Sequence, residues 1–578
     1  MKRWLKYVKP YKKYFILGPL CMIIEVIGEV LMPKFFGSII NGVNSDMSAM
    51  YIVGICGLMI VTALLMMAGG VGGAYFGAKA AVNFAGDLRE DIYKKIQDFS
   101  FANVDKFETG SLVTRLTNDV TQLQNFVNML LLMFLRSPGM LIGALIMAII
   151  LSPSLSVVFA VVIPVVAIGI FCIVRIGFPR FSIMQKKIDS LNTEVQENLS
   201  NVRVVKSFVR EDYQKEKFYN ANRDLKDAAL RAMQVVLTMH PLVMLFMHIT
   251  TVIVLWVGGN QVVSGGLLVG DLTAFITYVT QILFSLMMFV MIFISSSRAL
   301  ASSKRISEVL DEVPDLNDND AREKDKTIND GKIEFKNVSF RYYKNSEDSV
   351  LEDISFEILP GEKVGIIGSS GCGKTTLISL IPRFYDTDAG EVLVDGVDVR
   401  DYSLKNLRDG IGMVLQKNVL FSGTIYDNIL WGNDGASFDE ICEFADFAQA
   451  DMFIKGFADK YDTELGQGGA NLSGGQKQRL CIARALVKRP KILILDDSTS
   501  AVDTATEAKI KTAFSEKLPD MTKIIIAQRI SSVCDADKIV VMNEGKITGI
   551  GTHDELLENC EEYREIFYSQ NEREGAVQ

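Results

Sequence analysis

Eight consecutive residues, Gly368-Ser369-Ser370-Gly371-Cys372-Gly373-Lys374-Thr375, carry glycines at the spacing of a phosphate-binding loop. Glycines let backbone N–H groups close around phosphate oxygens, Lys374 can reach the outer phosphates, and the Thr375 hydroxyl can hold Mg²⁺, with Thr376 opening the next element. That chemistry is the binding of ATP. A second acidic feature, Asp496-Asp497, ends an apolar run from Lys491 to Leu495. A carboxylate in that position downstream of a phosphate loop positions the metal ion, and here it is Asp496. Between the two lies Leu472-Ser473-Gly474-Gly475-Gln476.

These residues need rigid supports. The β-branched run Lys363 to Ile367 predicts a strand that delivers the chain into the loop, and Thr376 to Leu380 predicts the helix that leaves it. Ile492 to Leu495 and Lys523 to Ile526 predict two more strands, the second leading to Ala527-Gln528-Arg529. From Lys332 onward, short runs such as Lys332 to Phe335 alternate with helical stretches, which is an α/β pattern.

The N-terminal half reads differently. Across 578 residues the mean hydropathy is +0.23 although 22% of residues are charged, so apolar and charged residues are segregated into a membrane part and a soluble part. Apolar runs lie at about Tyr14 to Ile40, Tyr51 to Ala81, Met129 to Leu151, Leu155 to Ile176, Val235 to Gly258 and Leu272 to Ile294. Each is long enough for a helix to cross a hydrocarbon core of roughly 30 Å. Lys2, Arg3, Lys6, Lys9, Lys12 and Lys13 crowd the N-terminus, whereas Asn41 to Met50, Ser152 to Ser154 and Gly259 to Asp271 contain no Lys or Arg. Both termini are therefore expected in the cytoplasm of a multi-pass protein of the cell (cytoplasmic) membrane, with an interfacial elbow before the first span. The excursions Val82 to Asn128 and Gly177 to Gln234 are charged and nearly free of helix breakers, so they extend the spans as helices. A net charge of −9 gives no basic field for nucleic acid, and eight Cys without CxxC pairs read as reduced thiols. The division expected is a membrane domain at 1–310, an acidic linker at 311–330 containing Pro314, and a nucleotide-binding domain at 331–578.

Leu472-Ser-Gly-Gly-Gln476, lying between the phosphate loop and the strand ending at Asp496, resembles the signature of ATP-binding cassette (ABC) ATPases, and the six spans before it resemble an ABC exporter half-transporter. The resemblance implies an ATPase driving transport by alternating access, with ATP and Mg²⁺ as cofactors. It also implies two cassettes that sandwich ATP, each molecule between one phosphate loop and the other chain's signature. Tyr342 resembles the aromatic that stacks on adenine, and Gln416 resembles the glutamine that joins the nucleotide and Mg²⁺ to the membrane half. Ser500-Ala-Val-Asp503 and Gly551-Thr-His-Asp-Glu555 resemble further family segments, and Thr109 to Asp119 and Val204 to Glu211 resemble those flanking the coupling helices.

Two departures stand out against this likeness. The family places Glu, the general base, after the metal-binding aspartate, and this chain has Asp497; withdrawing the carboxylate by about 1.5 Å, one C–C bond, harms general-base geometry. The family's switch histidine is replaced by Gln528, and the three histidines, His240, His248 and His553, offer no substitute. Gln467 is a further departure in a segment that usually carries Glu. An intact signature beside an altered catalytic pair implies the degenerate-site subunit of a heterodimeric multidrug exporter, whose partner is a second, non-identical half-transporter. The expected cargo is a small amphipathic, drug-like molecule; a lipid or peptide exporter, a homodimer and an ATP-gated regulator or channel remain open. Within the membrane, Glu25 and Glu29 share one helix face and are candidate substrate residues, unless they pair with Arg136 or Lys34. Gly69, Gly70, Gly72 and Gly73 suit close helix packing, and Met287, Met288 and Met291 suit packing or an adaptable cavity.

Overall fold

The computed structural model describes residues 3–45, 47–319, 321–342, 348–497 and 503–575. The chain divides into two compact units, Met1–Gln97 with Thr109–Glu312, and Asp98–Glu108 with Val313–Gln578.

Among the described residues of the first unit, six helices are long and apolar enough to cross a membrane: Leu5–Asn44, Ala49–Gln97, Thr109–Leu151, Pro153–Ser200, Pro241–Val263 and Val269–Phe289. Several run well past the apolar windows. Ala49–Gln97 has 49 residues and is about 73 Å long at 1.5 Å per residue, so more than half of it exceeds a roughly 30 Å core. Pro19 and Pro33 sit inside Lys12–Asn44 without ending it, and the Glu29 carbonyl, four residues before Pro33, accepts from Gln281 Nε2 at 2.9 Å. The N-terminal elbow is Leu5–Val8 followed by a 3₁₀ turn, Lys9–Tyr11. Tyr7 and Tyr11 fasten it to the second span by donating to Asp91 and Asp87, each at 3.0 Å.

The first and sixth spans meet without intervening side chains. A Cβ on Gly270 would overlap the Gly37 carbonyl oxygen, and one on Gly37 would lie 2.5 Å from the Gly270 oxygen. Asn41 Oδ1 accepts from the Gly270 N–H at 2.7 Å, Tyr278 donates to the Val30 carbonyl at 2.8 Å, and Gln281 donates to the Glu29 carbonyl at 2.9 Å. Met287 and Met288 on the sixth span are half-buried, and the side chain of Met291 lies outside the described residues.

Among its described residues the second unit carries twelve strands: β1 Ile333–Phe340, β2 Leu351–Ile358, β3 Lys363–Gly368, β4 Ala389–Val394, β5 Val397–Asp398, β6 Ile411–Val414, β7 Gly423–Thr424, β8 Glu464–Leu465, β9 Ile492–Asp496, β10 Thr522–Ile526, β11 Lys538–Asn543 and β12 Lys546–Gly551. β2-β1-β4-β5 form an antiparallel sheet, and β12-β11-β3-β10-β9-β6 form a sheet that is parallel except at β12. The central strands β9 and β10 are buried along their whole length, as expected of parallel strands covered on both faces. Each buried Ile or Leu there contributes about 2 kcal/mol of transfer free energy.

The short helix Phe101–Phe107 belongs to this unit. Ser100 and Asn103 form its capping box, Phe101 stacks on Phe384 with centroids 4.3 Å apart, and Asp105 accepts from Tyr385 at 3.1 Å. The acidic stretch Asp311–Asp330 is also fastened beyond its first residues. Leu316 and Ile328 are buried, Asp318 accepts from the Leu404 N–H at 3.0 Å, and Asp395 accepts from the N–H groups of Asn329, Asp330, Gly331 and Lys332 at 2.7 to 3.1 Å.

Candidate active site

Four neighbouring parallel strands end on the same edge of the six-stranded sheet, and each delivers one functional group there. β3 ends at Gly368 and opens the phosphate loop, β9 ends at Asp496 with Asp497 next, β10 ends two residues before Gln528, and β6 ends two residues before Gln416. The crevice outside the carboxyl ends of parallel strands is where α/β folds bind ligands. Here it is a pocket of about 330 Å³. Tyr342, Ser370, Gly371, Gly373, Lys374, Thr375, Thr376, Gln416, Asp496, Asp497 and Gln528 all line it. Tyr342 comes from the other sheet, just beyond the end of β1.

The loop has the backbone the sequence demands. Gly373 has φ of 99°, where a side chain is strained, and a Cβ on it would meet Leu351 at 2.8 Å and the Val350 carbonyl at 3.0 Å. Lys374 Nζ donates to the carbonyls of Gly368 at 2.8 Å and Ser369 at 2.7 Å, so its ammonium is held at the centre of the loop by groups that an incoming phosphate can outbid. Cys372 is buried, its sulfur 3.7 Å from Lys374 Nζ.

Thr375 Oγ1 lies 3.2 and 3.1 Å from the two carboxylate oxygens of Asp496. Burial pushes the Asp496 carboxyl above its ordinary range; the Thr375 hydrogen bond and nearby Lys374 oppose that, and the charge of Asp497 adds to it. A buried carboxylate and a hydroxyl at this separation are a hard-oxygen pair suited to a divalent cation, whose charge would favour the ionised form. Tyr342 donates to or accepts from the Thr376 hydroxyl at 2.9 Å and stands edge-on to Phe340 and Tyr385, which fixes its ring at the pocket mouth.

The two departures from the family pattern meet each other. Asp497 takes a left-handed backbone, φ 49°, held by its N–H donating to the Ile526 carbonyl at 3.1 Å. Gln528 Nε2 then donates to Asp497 Oδ2 at 2.7 Å. An amide neither takes up nor releases a proton in this range, so Gln528 serves Asp497 only as a hydrogen-bond donor.

The signature residues are elsewhere. Leu472, Ser473, Gly474, Gly475 and Gln476 do not line this pocket; Ser473 caps the helix Gly474–Val487 in a box with Gln476, and both Ser473 and Gly474 are exposed. Sequence reasoning passed over Gln478, two residues on, whose buried amide donates to the Asp497 carbonyl at 3.4 Å and ties the signature helix to the end of β9. A glutamine on the buried face of a helix was the available signal. Ser500, Ala501 and Val502 lie outside the described residues; Asp503 caps the helix Thr504–Lys517.

In the first unit, Arg136 Nη2 lies 3.1 Å from Glu25 Oε1 and 3.4 Å from Glu29 Oε2, while Lys34 is exposed. Gln281, which the sequence reading did not single out, joins them through its bond to the Glu29 carbonyl.

Comparison with known proteins gives a consistent answer. The profile of the ABC transporter transmembrane region matches residues 15–287, and the profile described as ABC transporter matches residues 351–500. YfiB of Bacillus subtilis, an uncharacterized ABC transporter ATP-binding protein, is 39% identical over 100% of both chains. YgaD of the same organism, named for multidrug export, is 34% identical over 99% of both. The solved structure of a bacterial Atm1-family ABC exporter with ATP bound aligns with a TM-score of 0.79 at 27% identity, covering 96% of this chain and 98% of that one.

Proposed function

Since the chain belongs to the ABC transporter family, as a helical membrane region followed by an ATPase domain, we propose that it is one half of a heterodimeric pump that exports amphipathic, drug-like molecules across the cell membrane, its ATPase unit in the cytoplasm. ATP hydrolysis coupled to transport is the activity of such a protein, and this chain is an exporter-type half-transporter. The heterodimer rests on one observation, the 2.7 Å bond that spends Gln528 on Asp497.

In this reading Tyr342 packs on the adenine, Gly368 to Thr376 enclose the phosphates, and Lys374 moves from loop carbonyls to phosphate oxygens. Thr375, Asp496 and Gln416 would hold Mg²⁺, which would supply positive charge against the phosphates. Asp497, short-armed and already bonded, orients water poorly, and Gln528 adds no positive charge at the terminal phosphate. The site therefore holds ATP well and hydrolyses it slowly. Ser473 and Gly474, exposed at a helix start, complete the partner's site instead. The similarity to YgaD supports an amphipathic drug as cargo.

Two measurements on the purified chain test this. Reconstituted alone, it is expected to show little ATPase; robust vanadate-sensitive turnover sinks the heterodimer. Co-reconstituted with its partner half in inside-out vesicles, it is expected to accumulate an amphipathic dye only with ATP. Uptake of a labelled phospholipid in place of the dye reassigns the cargo to lipid.

A further inference from the structure

Charges inside a membrane domain are costly and persist where something balances them. The cluster formed by Glu25 and Glu29 of the first span, Arg136 of the third and Gln281 of the sixth is not balanced by its own members. One guanidinium serves two carboxylates, leaving a formal charge of −1. It does so through a single nitrogen, Nη2, at 3.1 and 3.4 Å, so neither carboxylate receives the two-pronged bond that arginine can give.

The hydrogen bonding is incomplete in the same sense. Glu25 Oε2 and Gln281 Oε1 are buried acceptors without a donor, against one spare buried donor, Arg136 Nε. Gln281 is only 9% exposed, and its Nε2 is committed to the Glu29 carbonyl, so the amide cannot turn away to relieve its own oxygen. Glu25 Oε2 faces Gly70 of the second span, where a Cβ would lie 3.2 Å away and no side chain supplies a donor. Unmet buried acceptors carry a desolvation cost, and a surplus of acceptors combined with a surplus negative charge is complemented by a cation that donates hydrogen bonds.

Access and surroundings fit such a guest. The Glu29 and Arg136 side chains remain 26% and 28% exposed, so the cluster is open on one side, while Glu25 is 15% exposed at its back. Val26, Val30, Met140 and Ile282 adjoin it as continuous apolar core. A divalent metal is a poor match because Arg136 repels it, and the described residues hold no group of three or more metal-ligating side chains.

We propose that this cluster is the subsite for the ammonium head of a cationic amphiphile: Glu25 and Gln281 accept its N–H bonds, Glu29 supplies the second charge, and Arg136 spaces the two carboxylates. This deepens the export reading and rests on it. The test is a fluorescence titration of the full chain in lipid nanodiscs without nucleotide, using dansylcadaverine, a primary ammonium on an apolar fluorophore, and its neutral N-acetyl derivative. The ammonium compound is expected to bind about tenfold tighter, and Glu25→Gln and Glu29→Gln are each expected to abolish most of that difference while leaving the neutral compound's affinity unchanged. Gln281→Leu is expected to weaken only the ammonium compound, by about threefold. Equal affinity for the two compounds in the unmodified chain, or equal loss for both in the isosteric Gln variants, overturns the proposal. Because the titration uses no ATP, its outcome is separate from vesicle transport: charge-selective binding without pumping removes the export reading and keeps the site, and pumping without charge selectivity does the reverse.

Discussion

The signature loop and the Asp497–Gln528 pair belong to the same unit, yet they use their polar groups in opposite ways. Ser473 and Gln476 bond to each other's backbone, at 3.3 and 2.9 Å, and so preform a helix start whose outer face stays exposed. Asp497 and Gln528 bond side chain to side chain, inside the pocket where the chemistry is. One stretch is pre-organised for a ligand it does not enclose; the other is occupied with itself. On the proposed reading, the contrast is that of a nucleotide unit that keeps its binding and its contribution to a partner while giving up its own catalytic step.

The largest expected effect tests the outward-facing member. In the assembled transporter, Ser473→Ala with Gly474→Glu is expected to lower ATPase about a hundredfold, the scale of losing transition-state contacts at a phosphate. Asp497→Asn is expected to change turnover by no more than about twofold, because on the proposed reading the step it could serve is already slow. Steady-state ATPase on both variants decides the matter: equal damage would falsify the asymmetry and make both sites catalytic.

A smaller effect sharpens the contrast by isolating Asp496, the proposed metal-binding carboxylate. Its carboxyl is pushed up mainly by burial, so the folded chain holds that proton more readily than the unfolded one. Stability from this group is therefore present at acidic pH and is lost as pH rises through the folded-state value. Asp496→Asn is expected to raise the melting temperature of the nucleotide-free chain by about 2 °C at neutral pH, with the difference shrinking as pH falls. Adding Mg-ATP should reverse the order, since the variant loses a metal ligand. A gain in melting temperature that grows toward acid would contradict this account.

The central parallel strands were legible because parallel strands buried on both faces leave unbroken apolar runs. Lys363 to Ile367 is observed as Lys363–Gly368, Ile492 to Leu495 as Ile492–Asp496, and Lys523 to Ile526 as Thr522–Ile526. The helix expected from Thr376 begins two residues earlier, at Lys374, because the loop's last glycine already turns the chain. The bond between Asp497 and Gln528 was not legible, though both residues had been named. It depends on β10 lying beside β9 with Ile526 opposite Asp496, a neighbourhood set by sheet order and not by spacing along the chain. Gln281 was missed for a similar reason: a lone glutamine in an apolar span declares a cost, but only the packing of three helices shows which residues share it.

The meeting of Gly37 and Gly270 has its own outcome for the pump. With backbones touching at one end and bonds from Asn41, Tyr278 and Gln281 distributed beneath, the first and sixth spans are clasped along one seam. Prising those spans apart would strand six polar groups, three donors and three acceptors, whereas moving them together strands none. A methyl group added at Gly270 has no room beside the Gly37 carbonyl, so it should push the two spans apart at that end and weaken the whole set of bonds together.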